Sequence, residues 1–210
     1  VFQERWIRYK PMLRLKYYES IVVYVDPSWK SGGKNDYKAC KMWGRPKRGM
    51  KTASHRELHC IRAFCRQCGV GEMVRWLYDL YESLPEDCAA IFYMEANFMQ
   101  DTILDEFQRE GDIRGYQLPI MPDTRKKPDK FARIEAISPL WERGLVWYNI
   151  RLKDDADMRT SIDQTLSFEQ GSRAHDDSPD ADEGAIYKLQ KQVRQDTMPP
   201  RIGMRQAPKE

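Results

Sequence analysis

Long apolar runs are missing from this 210-residue chain. None approaches the roughly 20 residues that a membrane-spanning helix needs, so neither a span nor a membrane partner is expected. Cysteine is scarce and odd in number. Five thiols cannot close into a complete disulfide framework, and they fit a reducing compartment. Net charge is nearly absent: 35 Lys and Arg against 32 Asp and Glu leave only +3. A polyanion-binding surface would therefore have to come from local clustering. No signal peptide is visible, and the chain starts Val1-Phe2-Gln3 without methionine, which reads as a piece of something longer. What is present is ordinary for a protein with a core: 41% apolar and 32% charged residues. The length suits one medium domain with a tail, or two small domains.

The run Ile21-Val22-Val23-Tyr24-Val25 ends in Asp26 and is followed by a turn at Ser31-Gly32-Gly33. A short continuous apolar run bounded by turn residues reads as a buried strand. A charge at the edge of a core is costly unless paired or bound to a metal. Asp26 is thus either a strand-end residue with an ordinary partner or a ligand around which other carboxylates gather. Two later stretches bear on the choice. Ile91-Phe92-Tyr93-Met94-Glu95 is again an apolar strand ending in an acid, and residues 175–183 hold five acids in nine positions.

In chain order, residues 1–19 are basic and aromatic and read as an inbound connector. Strands are expected at about 20–26, 37–43 and 58–64, close enough together for an antiparallel meander. Met73, Trp76, Leu77, Leu80, Tyr81 and Leu84 mark one face of a helix that Pro85 stops. This stripe reads as core. A strand at 89–95, a helix at 98–110 ending near Gly111, and a short strand at 116–120 follow. Then come a basic loop at 121–129, a helix at 129–142, a strand at 145–148, a helix at 154–168 and a final helix at 177–190. Residues 191–210 carry three prolines and many charges and read as a tail with little order. The expected architecture is α/β: a mixed sheet, three antiparallel strands and then parallel ones, flanked by helices.

Asp26, Glu95 and the Asp177/Asp180 pair each sit at a defined place, two at strand ends and two at a helix start. Asp177 and Asp180 are three apart and share a helix face. Gathered in one place, such acids repel and raise one another's pKa, and hard divalent cations relieve this. On that view, neutralising one acid in the absence of a metal stabilises the fold. Singly, each acid is equally consistent with a strand end or a favourable helix dipole. Other signals are weaker. Cys65 and Cys68 have zinc-like spacing, but no second pair follows, and His59 and Cys60 diverge on a strand, so buried thiols are expected. Residues 44–52 nearly spell a phosphate loop, with one residue too many and a strand after it, so no nucleotide site is expected. Their basic character suits a phosphate contact or a solvated turn. His175 reads as a proton shuttle or a helix-start residue. Arg125, Lys126, Lys127, Lys130 and Arg133 read as phosphate contacts or a solvated loop.

The ordered set resembles the nuclease domain of the large terminase subunit of tailed bacteriophages and prophages. That domain has the RNase H-like fold shared with RuvC-type resolvases and integrases. The match is carried by Tyr24-Val25-Asp26-Pro27-Ser28, Asp36-Tyr37-Lys38-Ala39, Phe92-Tyr93-Met94-Glu95-Ala96-Asn97, Lys130-Phe131-Ala132-Arg133-Ile134 with Pro139-Leu140-Trp141 and Gly144, and His175-Asp176-Asp177-Ser178-Pro179-Asp180-Ala181. It spans about 20–190 in the right order. The resemblance implies an endonuclease that cuts double-stranded viral DNA during genome packaging with two Mg²⁺ or Mn²⁺ ions. Asp26, Glu95, Asp180 and Asp177 are then the metal-binding and catalytic residues, Asp176 stands behind them, and Asp36 acts through water. Implied partners are DNA, an upstream packaging ATPase domain, the portal and the small terminase subunit, in the host cytoplasm. A RuvC- or transposase-like nuclease, or a module that grips DNA without cutting, is the alternative.

Overall fold

The computed structural model describes residues 1–27, 37–96 and 101–197. The turn at 31–33, Asp36, Asn97 and the tail from residue 198 lie outside the described residues. Seven strands form one sheet: β1 (Tyr9–Lys10), β2 (Tyr18–Asp26), β3 (Tyr37–Pro46), β4 (Leu58–Gln67), β5 (Ala90–Glu95), β6 (Ile120–Asp123) and β7 (Val146–Asn149). Their spatial order is β1-β7-β4-β3-β2-β5-β6. As expected, β2, β3 and β4 make an antiparallel meander, and β5, β6 and β7 add in parallel to β2, β5 and β4.

Both faces of the sheet are covered, which is why β2 reads as an unbroken apolar run rather than an alternating one. Ile21, Val23 and Val25 join one core with α1 (Val70–Glu82) and α2 (Asp101–Arg114). Val22 and Tyr24 join the opposite core. That core is built from α3 (Lys130–Glu135), α4 (Pro139–Glu142), α5 (Ala156–Leu166) and α6 (Asp177–Thr197). Among the described residues no helix is long and apolar enough to cross a membrane.

Five features differ from the sequence reading. The strand expected at 116–120 lies later, at β6, because Leu118 turns into the core and its N–H bonds the Tyr78 hydroxyl at 3.2 Å. Pro122 is tolerated in β6 because this is an edge strand. The helix expected at 129–142 is two short helices. Pro139 has no N–H to continue the first, and instead occupies the opening turn of the second. α2 runs past Gly111 and ends before Gly115, whose φ of +79° suits glycine. α6 runs past Gln190 to Thr197. Finally, β1 pairs with β7, and Phe2 is buried with its ring edge-on to Trp141, 5.0 Å between centroids.

Candidate functional site

The site begins with strand register. β2 and β5 run parallel and pair as far as Val25 with Met94, so Asp26 and Glu95 are the next residues on neighbouring strands. Side chains alternate along a strand. Tyr24 and Tyr93 face the α6 side, and Asp26 and Glu95, two residues on, face it too. β6 adds a third acid in the same row, since Glu95 pairs with Asp123. Asp123 is buried. It accepts from the Tyr24 hydroxyl at 2.8 Å, Arg125 Nε at 3.0 Å and Lys188 Nζ at 2.7 Å.

α6 brings its own acids down on this row. Asp177 and Asp180 both lie in its first turn and are both buried, each 6% exposed. Cations from the β6–α3 segment stand between the two sets. Lys127 Nζ donates to Glu95 at 2.8 Å and lies 3.9 Å from Asp180. Lys130 reaches Asp180 at 3.2 Å and Asp176 at 2.7 Å. Arg133 contacts Asp180 at 2.5 Å and Glu183 at 2.6 Å, and Arg125 forks onto Glu183. Burial pushes the Asp180 carboxyl up, but Lys130, Arg133 and Lys127 outweigh it, and its pKa lies below the usual carboxylate value. Burial likewise opposes charge on Lys130, and Asp180, Asp176 and Asp26 more than offset that, so its pKa is raised. The expectation of acids that only repel one another is thus corrected: cations interleave them.

The donor set suits a hard divalent cation, being carboxylate oxygen throughout. Asp180 Oδ1 is buried and touches Arg133, yet lacks a hydrogen bond of proper geometry. Among the described residues no group of three or more His, Cys, Asp or Glu side chains is gathered ready to hold a metal. In the same place, Lys127 lies between Glu95 and Asp180.

No family model and no curated protein matches the sequence. Solved structures do. The human cytomegalovirus terminase nuclease domain superposes with a TM-score of 0.59 at 14% identity, over 89% of this chain and 94% of that one. The P22 large terminase nuclease domain gives 0.58 at 11% identity, over 90% of each chain. The large terminase of a thermophilic bacteriophage gives 0.54 at 14% identity, and there the match spans 90% of this chain but 44% of the larger one. The fold is that of a terminase nuclease domain.

Within this terminase-nuclease fold, sequence reading missed Asp123 and Glu183, and left the basic run undecided. Asp123 was hidden by the misplaced strand. The run 125–133 had a usable signal: Arg125 and Lys127 alternate around an exposed Lys126, and Lys130 and Arg133 are three apart on one turn. Their side chains are engaged with acids, so this is no solvated loop. Asp176 shares Lys130 with Asp180. His175 is half-exposed, stacks edge-on to Tyr37 at 4.7 Å, and lies 4.0 Å from Asp177. The basic turn after β3 is at the opposite end of the sheet from Asp26, because β3 runs antiparallel to β2 and Pro46 pairs with Tyr18. The cysteines are free, and Cys60 and Cys65 are buried thiols with pKa pushed up to about 12, chiefly by burial.

Proposed function

We propose that this chain is a metal-dependent endonuclease domain that cuts double-stranded viral DNA during genome packaging. The observation that carries the reading is the row of acids at the ends of β2 and β5, facing the first turn of α6, in a terminase-nuclease fold. One of the similar structures is a cytomegalovirus terminase nuclease domain soaked with Mn and bound to an inhibitor. Asp26, Glu95, Asp180 and Asp177 are the residues that would hold two Mg²⁺ or Mn²⁺ ions. Such ions, when bound, activate a water for attack on phosphorus and stabilise the leaving oxygen.

The chain's own groups do the rest. Asp26 and Glu95 are fixed by adjacent strands, so their spacing is set by the sheet and not by a loop. Lys127 and Lys130 lie among the acids and hold carboxylate charge in check. Lys126 beside them is exposed, and in this reading it would meet a phosphate of the duplex. Packaging partners, namely an ATPase domain, the portal and the small terminase subunit, follow from the same reading.

A second reading, a module that grips DNA without cutting, draws on the cations that already share the carboxylate oxygens. Plasmid cleavage separates the two. The nuclease reading expects nicking with Mn²⁺ or Mg²⁺, none with EDTA, and loss of at least a hundredfold in Asp26→Asn, Glu95→Gln and Asp180→Asn. DNA binding without metal-dependent cleavage, unchanged in these variants, would support the gripping module. Cleavage that survives all three substitutions would place the site elsewhere.

A further inference from the structure

On the side of α6 turned away from its site carboxylates, a polar knot is sealed in the apolar core. Lys41 Nζ lies 3.1 Å from Asp182 Oδ1, with both side chains 1% exposed or less. Trp43 Nε1 donates to the same oxygen at 2.9 Å, and the Thr165 hydroxyl of α5, which donates to the Ser161 carbonyl at 3.0 Å, lies 3.5 Å from the other. Lys41 also donates to the Ser161 hydroxyl. That hydroxyl is 2.9 Å from Ser178 Oγ, and the Ser178 N–H donates to Gln164 Oε1 at 2.9 Å. Burial opposes charge on both partners: Asp182 holds the Lys41 pKa above its ordinary value, while burial outweighs the pull of Lys41 and leaves the Asp182 pKa raised.

Stability does not explain such a pair, because desolvation offsets the attraction and well-packed apolar replacements are often neutral or better. What the pair supplies is direction. The opening turns of α6 meet the sheet through Ala181, Gly184 and Ala185, small residues packed with Val22 and Tyr24, while Ile186 and Leu189 are buried further along. Small side chains allow this close approach, and beyond the Tyr24 ring set against Gly184 the opening turns offer few ridges of their own. Sliding a helix by one residue moves it about 1.5 Å and turns it about 100°. Asp177 and Asp180 would swing off the strand ends. Lys41 and Trp43 are two apart on β3 and project from one face of the sheet. Asp182 is two residues beyond Asp180, on the opposite side of the helix. Bonds from Lys41 and Trp43 to this one carboxylate fix both rotation and axial position.

We propose that Lys41 and Asp182 are positioning residues that set the register of α6 and thereby hold Asp177 and Asp180 in place to bind a divalent cation. This rests on the metal-site reading above. The test is Mn²⁺ affinity by isothermal titration calorimetry, beside thermal unfolding, on the whole chain. The double variant Lys41→Met/Asp182→Leu should melt at or above the wild-type temperature and bind Mn²⁺ at least tenfold more weakly. Lys41→Met/Asp182→Asn, which can keep the Trp43 bond, should recover part of the loss. A folded Lys41→Met/Asp182→Leu protein with wild-type affinity overturns the proposal. If that variant does not fold, Ser161→Ala, which removes a Lys41 partner, carries the test. It should weaken Mn²⁺ binding about threefold in folded protein, and unchanged affinity overturns the proposal. Wild-type protein that binds no Mn²⁺ sinks the metal-site reading itself. Wild-type binding that Asp180→Asn removes and the double variant preserves sinks only the positioning role.

Discussion

At the residue scale, the site is a balance of charges. Asp180 is ionised because Lys130, Arg133 and Lys127 surround it. Asp180→Asn takes a partner from each of these half-buried cations, so it should destabilise the fold by about 1–3 kcal/mol. This reverses the sign expected from acids alone, and urea unfolding checks it: a rise in stability would mean that repulsion dominates after all. His59 gives a second residue-level prediction. It is buried between the Tyr18 hydroxyl and Glu57 Oε2, each 2.9 Å from a ring nitrogen. Burial lowers its pKa from 6.5, against the pull of Glu57. The folded state therefore binds fewer protons than the unfolded state just below pH 6.5. This part of the stability is full above that pH and is lost as pH falls through the folded value. The steepest slope one such group allows is about 1.4 kcal/mol per pH unit. His59→Gln should be less stable than wild type at pH 7.5 but lose less between pH 7 and 5. Parallel pH profiles would show that His59 is not the group responsible.

At the scale of elements, what was legible is what is buried on both faces. β2 and β5 announce themselves as apolar runs ending in Asp26 and Glu95, and the acidic block announces α6. β6 does not, being a four-residue edge strand with an exposed Met121 and a proline, so Asp123 escaped notice. The seating of α6 was also invisible, because it depends on Gly184 facing the Tyr24 ring. A Cβ there would overlap the ring, and Tyr24 is fully buried with its hydroxyl held on Asp123. In an unhindered helix Gly→Ala is favourable by about 1 kcal/mol. Here overpacking should win, and Gly184→Ala should destabilise by about 1–3 kcal/mol while reducing metal-dependent cleavage. Urea unfolding together with plasmid nicking measures both. A stabilised variant would mean that α6 does not pack as closely as described.

At the scale of the whole molecule, strand order and helix placement follow from period and punctuation, but the closing of the sheet's far edge does not. Residues 1–19 read as an inbound connector because their pattern is basic and aromatic, and because a two-residue strand leaves no periodicity to detect. Only tertiary contact shows what they do. Tyr9 and Lys10 pair with Tyr148 and Asn149, Lys10 Nζ lies 4.8 Å from the Trp147 ring centre, and Phe2 closes over Trp141. Trp141 in turn meets Trp43 at 6.0 Å, so the first residues of the chain touch the core on which α6 rests. Truncating a buried Phe typically costs about 3–5 kcal/mol. Phe2→Ala is therefore expected to lower stability by about 3–5 kcal/mol, read by thermal or urea unfolding. A true connector would respond like an ordinary surface position, within about 0.5 kcal/mol. A loss that small would return residues 1–19 to the role of a connector and leave β7 as the working edge of the sheet.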